Sequence, residues 1–300
     1  MSIFTGSGVA LCTSFDKSGA FNGTVYEELI DFQVQKGTAA IVSCGTTGEA
    51  VTLNTDEHIE VVRTAVAAAK KAGEKYGRKV PVVAGAGGND TAACIAKGRA
   101  LQQAGADALM YATPYYNKTS QRGLVAHYTE IAKNVELPII VYNVPARTAL
   151  NLQPKTLAEI AKLSNIQAVK EASSDITQIA EVIERCADNL DVYVGNDSEI
   201  LPTLALGGRG VISTMGNIAP ACIQAIVDKF LAGDIEGSRK LQLGILPLVR
   251  LLFADVNPMP VKTALRLMGF DMGSCRLPLV EIEPALAAEL EQAMKGYGLI

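Results

Sequence analysis

An α/β fold, a (β/α)8 (TIM) barrel with a small C-terminal helical extension, is what this 300-residue chain predicts. Three observations carry that expectation. Short, almost wholly apolar runs recur along the first three-quarters of the chain, longer amphipathic stretches separate them, and glycines fall where those stretches should stop. Runs that are apolar on nearly every residue suit strands buried on both faces, with helices outside and packed side chains inside.

The strands expected, in order, are 8–12, 39–43, 80–84, 108–111, 139–142, 167–170, 192–195 and 210–213. Amphipathic patterns between them place helices at 56–71, 91–104 and 157–162. Thr55-Asp56-Glu57 and Asn89-Asp90 supply helix-start signals, and Pro154 sits at an early helical position. Gly37, Gly105 and the Gly207-Gly208 pair mark helix ends. A doubly wound sheet would use the same units, and periodicity alone leaves it standing as a rival. After Ala232 the pattern turns purely helical, over 235–253, 261–268 and 284–295. The expected division is a catalytic barrel over 1–232 and a helical region over 233–300, with no low-complexity linker between them.

Composition narrows the class of function. Hydrophobic residues make up 49 % and charged residues 19 %, within the globular range. Twenty-seven basic against 31 acidic residues leave a net charge of −4. The densest basic point is Lys70-Lys71 with Lys75, Arg78 and Lys79, far short of a nucleic-acid footprint. Met1-Ser2-Ile3-Phe4-Thr5-Gly6 lacks the charged and apolar parts of an export signal, and no apolar run approaches the ~18 residues of a membrane span. Cys12, Cys44, Cys94, Cys186, Cys222 and Cys275 are scattered without a CxxC pair, which reads as reduced thiols in a cytoplasmic protein. The only histidines, His58 and His127, fall in expected helices as surface or packing residues, so neither a His-rich metal site nor a Ser–His triad is expected.

Barrels of this kind keep their chemistry at the C-terminal strand ends. Strand two runs into Ser43-Cys44-Gly45-Thr46-Thr47-Gly48-Glu49, where hydroxyls and backbone N–H groups between glycines can cradle a carboxylate, although alone it is also a plain glycine turn. Strand four runs into Pro114-Tyr115-Tyr116-Asn117, whose tyrosines taken alone read as packing or interface residues. Strand five ends Tyr142-Asn143-Val144-Pro145-Ala146-Arg147-Thr148, offering a phenol for proton transfer and a guanidinium for a carboxylate. Strand six ends Val169-Lys170-Glu171-Ala172 and is the most informative. A lysine closing a buried strand either pairs with Glu171 or snorkels to solvent, or it serves as the desolvated amine that attacks a ketone to form a Schiff base. With Thr46, Thr47, Tyr142 and Arg147 on neighbouring strand ends, the chemical role is favoured. Strands seven and eight add Gly195-Asn196-Asp197 and Ile212-Ser213-Thr214 as pocket wall. Ala84-Gly85-Ala86-Gly87-Gly88 lacks the spacing of a dinucleotide fingerprint, no P-loop is present, and Asp191, Asp197 and Glu199 are expected as cap or surface acids.

Taken together, Gly45-Thr46-Thr47-Gly48-Glu49, Pro114-Tyr115-Tyr116-Asn117, Tyr142 to Thr148 and Val169-Lys170-Glu171-Ala172 resemble the 4-hydroxy-tetrahydrodipicolinate synthase (dihydrodipicolinate synthase) family of pyruvate-dependent class I aldolases. The likeness extends from Phe4-Thr5-Gly6 to Asn257-Pro258-Met259-Pro260-Val261-Lys262. It implies condensation of pyruvate with L-aspartate 4-semialdehyde on the way to diaminopimelate and lysine. By motif match Lys170 forms the imine, and Tyr142, Thr46 and Tyr116 relay protons, Tyr116 across a dimer interface. Thr46 and Thr47 hold the pyruvate carboxylate, Arg147 holds that of the semialdehyde, and Gly195 and Ile212 contribute backbone. The resemblance also implies a homotetramer built as a dimer of dimers, and neither an organic cofactor nor a metal. His58, Asn89 and Tyr115 match an effector cleft for lysine. Ala50, Thr55 and Ala93 depart from its usual serine, histidine and glutamate, so weak or absent lysine inhibition is expected. The alternatives are N-acetylneuraminate lyase or a 2-keto-3-deoxy sugar acid aldolase, which would share Lys170 and Tyr142, and a non-catalytic barrel that binds a keto acid. Arg147 favours a carboxylate-bearing aldehyde over a polyol.

Overall fold

The computed structural model describes residues 2–186 and 188–300. Eight parallel strands close into a barrel in chain order: β1 (Gly6–Ala10), β2 (Ala40–Ser43), β3 (Val82–Gly85), β4 (Ala108–Ala112), β5 (Ile139–Asn143), β6 (Ile166–Glu171), β7 (Asp191–Val194) and β8 (Gly210–Ser213). β8 returns to pair with β1 through Gly6↔Gly210 to Val9↔Ser213, which rules out the doubly wound sheet. Helices alternate with the strands: α1 (Gly23–Gln35), α2 (Thr55–Tyr76), α3 (Thr91–Gln103), α4 (Gln121–Asn134), the single turn α5 (Pro145–Thr148), α6 (Pro154–Ile160), α7 (Ile176–Cys186), α8 (Ile200–Leu206) and α9 (Pro220–Leu231). Three more follow, α10 (Ile235–Leu252), α11 (Met259–Leu267) and α12 (Pro284–Gly296). α10 packs against α8 and α9, and α12 against α10 and α11.

Boundaries differ from the sequence expectation where hydrogen bonding decides them. β1 starts two residues early, because Gly6 adopts a positive φ opposite Gly210, and it stops before Cys12, whose N–H goes to the Asn217 side chain at 3.0 Å. β3 waits until Val82, since Pro81 has no N–H to donate. α2 is capped by Asn54, not Thr55: Asn54 and Glu57 exchange side-chain-to-backbone hydrogen bonds in a full capping box, and Gly77 ends the helix at φ +65°.

Two apolar layers follow from the strand alternation. One lies between the barrel and its helices. The other fills the inside, where Ala10, Val42, Val83, Met110, Ile140, Ala168, Tyr193 and Ile212 pack together. Phe4 plugs the lower end by stacking on Tyr193, ring centroids 4.1 Å apart, while the Tyr193 hydroxyl donates to the Phe4 carbonyl at 2.6 Å. A Cβ on Gly8 would lie 2.8 Å from the Phe4 ring, so the plug needs glycine there. Among the described residues this stack closes the lower end of the interior, and the C-terminal mouth carries a cavity.

β6 carries a bulge. Ile139 of β5 faces Ile166 but Ile140 faces Ala168, so Gln167 is the extra residue. Beyond it the register runs Val141↔Val169, Tyr142↔Lys170 and Asn143↔Glu171.

Candidate active site

Strand register sets the centre of the site. Tyr142 and Lys170 are direct partners across β5 and β6, so both side chains leave the sheet on its inner face. The Lys170 Nζ stands 4.4 Å from the centroid of the Tyr142 ring, and the two residues are 6 % and 7 % exposed. The buried amine thus sits over the ring of a tyrosine that also lines the cavity above it. Gly195, just past β7, makes the space: a Cβ there would lie 2.7 Å from the Ala172 Cβ and 3.0 Å from the Lys170 Cε. Ile212 on β8 lines the same interior.

The loop after β2 approaches from the opposite wall. Cys44 and Glu49 both adopt left-handed backbone near φ +54°, an uncommon conformation for side-chain-bearing residues that surrounding contacts must hold. The two threonines between them diverge. Thr46 is exposed and lines the mouth, whereas Thr47 is buried, its Oγ1 3.4 Å from the Thr214 Oγ1 and accepting from the Asn257 amide at 2.9 Å. The loop is anchored behind by Glu49, which accepts from the Lys262 Nζ at 2.8 Å and from the Arg276 N–H at 2.9 Å, wholly out of water. Lys262 also lies over the Phe15 ring.

A cavity of about 470 Å³ opens above the pair. Thr46, Tyr142, Arg147 and Thr148 line one part, and His58, Lys97 and Tyr115 another, with no carboxylate among the described lining residues. Arg147 is exposed on α5, a turn that Pro145 can start because the first helical N–H needs no partner. The lining thus offers hydroxyls and two cations to an anionic ligand. Tyr116 is not part of it; at φ +58° the chain turns this side chain into solvent, 90 % exposed. Tyr115 is held at the rim by its N–H, which donates to the Asn89 Oδ1 at 2.8 Å.

Both histidines are packing residues. His58 is buried with Nε2 2.8 Å from the Gly85 carbonyl oxygen, and burial, aided by the Lys97 charge, pushes its pKa down to about 4. His127 sits 2.8 Å from the Thr91 hydroxyl, and burial lowers its pKa too. Cys12, Cys44, Cys94 and Cys186 are buried free thiols, and Cys222 and Cys275 are partly covered.

Four functional-looking residues escaped the sequence argument. Asp197, expected as a cap or surface acid, is fully buried beneath the end of β8. It accepts from the Ser213 hydroxyl and from the N–H groups of Met215 and Thr214 at 3.0 and 3.2 Å. Burial raises its pKa, against the pull of those donors and of the Lys170 charge. Its position three residues past the end of β7 was the available signal. Glu171 is equally dry; burial raises its pKa while donors from Asn143, Ser173 and Gln178 oppose the rise. Lys262 and Asn257 lie in the C-terminal segment, and only the charge in an otherwise apolar helical run marks Lys262.

Comparisons with known proteins point to one family. The Dihydrodipicolinate synthetase family matches residues 3–296. A 4-hydroxy-tetrahydrodipicolinate synthase from Lachnoclostridium phytofermentans is 50 % identical, with both chains fully covered. Among solved structures, a dihydrodipicolinate synthase from Acinetobacter baumannii, described as chloride inhibited and complexed with pyruvate, superposes with a TM-score of 0.94 at 37 % identity over 99 % of each chain. A counterpart from Cyanidioschyzon merolae with lysine bound gives a TM-score of 0.95 at 35 % identity over 100 % of each chain.

Proposed function

The chain belongs to the dihydrodipicolinate synthetase family, and we propose that it condenses pyruvate with L-aspartate 4-semialdehyde through an imine on Lys170. One observation carries the assignment of the nucleophile: the Lys170 amine, buried inside the barrel, is 4.4 Å from the ring of Tyr142, which itself lines the cavity.

In this reaction the neutral Lys170 amine adds to the pyruvate carbonyl carbon, and loss of water leaves an iminium. The iminium draws electrons, so the pyruvate methyl gives up a proton and an enamine forms. Its terminal carbon attacks the aldehyde, making the carbon–carbon bond and an alkoxide that takes a proton. The amine of the semialdehyde-derived half then adds to the iminium carbon and expels Lys170, closing the ring. Tyr142 is the group positioned to move these protons, with Thr46 and a partner subunit's copy of Tyr116 completing the relay. Thr46 and Thr47 hold the pyruvate carboxylate, Arg147 holds that of the semialdehyde, and Gly195 and Ile212 shape the pocket. The imine is its own electron sink, so the chemistry calls for no organic cofactor or metal.

The outward, highly exposed Tyr116 supports assembly through its loop, and the assembly proposed is a homotetramer built as a dimer of dimers. Among the described residues no helix is long and apolar enough to cross a membrane, and the proposed setting is the cytoplasm. Borohydride reduction in the presence of pyruvate, followed by peptide mass spectrometry, tests the mechanism. A reduced pyruvate adduct on Lys170 is expected; an unmodified Lys170, or an adduct on a different lysine, overturns it.

A further inference from the structure

The residues that follow Tyr142 and Lys170 in their strands form a second pair on the other side of the sheet. Asn143 and Glu171 are register partners. Both are completely buried between the barrel and its helices. The Asn143 Nδ2 lies 3.0 Å from each Glu171 carboxylate oxygen and 2.9 Å from the Asn151 Oδ1. The orientation of the Asn143 amide is set, because its Oδ1 accepts the Leu152 N–H at 2.9 Å and its Nδ2 must therefore face the carboxylate. Glu171 is held in turn by the Ser173 N–H at 2.8 Å and the Gln178 amide at 3.3 Å.

The bulge gives this cluster a purpose. Gln167 breaks the ladder between β5 and β6 three residues before Lys170. A bulge leaves one residue unpaired and so changes which residues oppose each other beyond it; side chains have to fix the choice, because a slip of one residue turns every side chain to the opposite face. A one-residue slip of β6 here would take Lys170 out of the barrel and put Glu171 or Val169 in its place beside Tyr142. We propose that Glu171, gripping Asn143, is a positioning residue that pins this register and so keeps the Lys170 amine beside the Tyr142 phenol. The inference rests on the assignment of Lys170 and Tyr142 as catalytic residues, but the register itself can be read without that assignment.

The test uses E171Q and the swapped pair N143D/E171Q. In E171Q the charge is lost and one carboxylate oxygen becomes an N–H₂, so Asn143, Ser173 and Gln178 are left to share a single neutral acceptor and the staple is weakened. In the swap the new amide on β6 donates to the new carboxylate on β5. That carboxylate still accepts from the Leu152 N–H, and the Asn151 and Gln178 amides can turn over to match. E171Q should lower kcat about 10²-fold, as expected for displacement of a reacting group by roughly 1 Å. The KM for pyruvate should change much less, and the swapped pair should recover most of the rate. Acetylation of Lys170 by a water-soluble reagent, followed by mass spectrometry, reports whether the lysine stays inside. It should be slow in the unmodified protein, fast in E171Q and slow again in the swap. Unchanged kcat and unchanged Lys170 protection in E171Q would overturn the proposal even if the unmodified protein forms its pyruvate adduct. If instead no adduct forms on Lys170, the catalytic assignment fails while the protection data still decide the register. A swapped pair that fails to fold, or folds without regaining protection, also counts against it, because the swap restores the hydrogen bond between the strands.

Discussion

Asn257 donates its side-chain amide to the Thr47 hydroxyl oxygen at 2.9 Å, across 210 residues of chain. That contact occupies a lone pair on Thr47 and leaves its hydroxyl hydrogen to point elsewhere. The remaining protein acceptor, Thr214 Oγ1, lies at a long 3.4 Å. A carboxylate in the mouth is the better acceptor, since hydrogen bonds to charged groups are the stronger ones. Asn257 thus orients a donor it does not share with the ligand. The first prediction is that N257A raises the KM for pyruvate by about five- to tenfold, the worth of roughly 1 kcal/mol, with kcat nearly unchanged. Steady-state kinetics with pyruvate varied gives the answer; an unaltered KM would mean that Thr47 needs no orienting.

The same contact shows where sequence reasoning stops. Lys170 and Tyr142 were legible because each closes a short apolar strand, and a barrel brings all strand ends to one face. The threonine pair after β2 was legible for the same reason, but its divergence was not: Thr46 is exposed on the cavity wall while Thr47 is buried with its hydroxyl oriented by Asn257, a partner distant in sequence. No local pattern links Asn257 to Thr47 or Lys262 to Glu49. Asp197 looked like an ordinary helix-start acid because a position three residues past β7 does not reveal that the next strand end will cover it. The bulge at Gln167 left no trace either, since a run of apolar residues does not register one extra residue.

His58 makes stability depend on pH. Its Nε2 must carry the proton, because the Gly85 carbonyl oxygen can only accept, and the folded imidazole does not take a second proton until about pH 4. In the unfolded chain it does so near pH 6.5. Between those values the unfolded state binds a proton that the folded state refuses, so stability falls as pH drops through the window and is fully regained above it. The contribution is about 3 kcal/mol in all. Urea melts from pH 7 to pH 4 should show the slope in the unmodified protein and a shallower one in H58Q, which keeps a donor for Gly85. Identical slopes would place the titrating group elsewhere.

L-lysine should not inhibit appreciably. A bound lysine needs a carboxylate for its ammonium groups, and the cavity around His58 and Tyr115 presents Lys97 with no acid among the described residues lining it. Ala50 lines this cavity, and Ala93 stands on the exposed side of α3 four residues before Lys97, where a glutamate would have offered the missing charge. Initial rates measured with increasing L-lysine at fixed substrate should stay flat. Saturable inhibition would show that the site recruits its carboxylate from a partner subunit.

Gly195 is the position where the least added matter should cost the most. An alanine there adds a single Cβ, 2.7 Å from the Ala172 Cβ and 3.0 Å from the Lys170 Cε. The Ala172 methyl has no rotamer to escape into and its backbone N–H is tied to the Asn143 carbonyl at 2.9 Å, so the lysine side chain has to yield. Lys170 is itself packed over the Tyr142 ring, and moving its methylene moves the amine away from the phenol. G195A is therefore expected to cost about 1–3 kcal/mol of stability from overpacking. The rate should suffer more, with kcat falling on the order of 10²-fold for a displacement near 1 Å. Borohydride trapping with pyruvate separates the two effects: a folded G195A protein should accumulate its Lys170 adduct more slowly than the unmodified enzyme. A folded variant that traps pyruvate and turns over at the original rate would mean that Lys170 tolerates the shift, and that the close approach of β7 is a matter of packing alone.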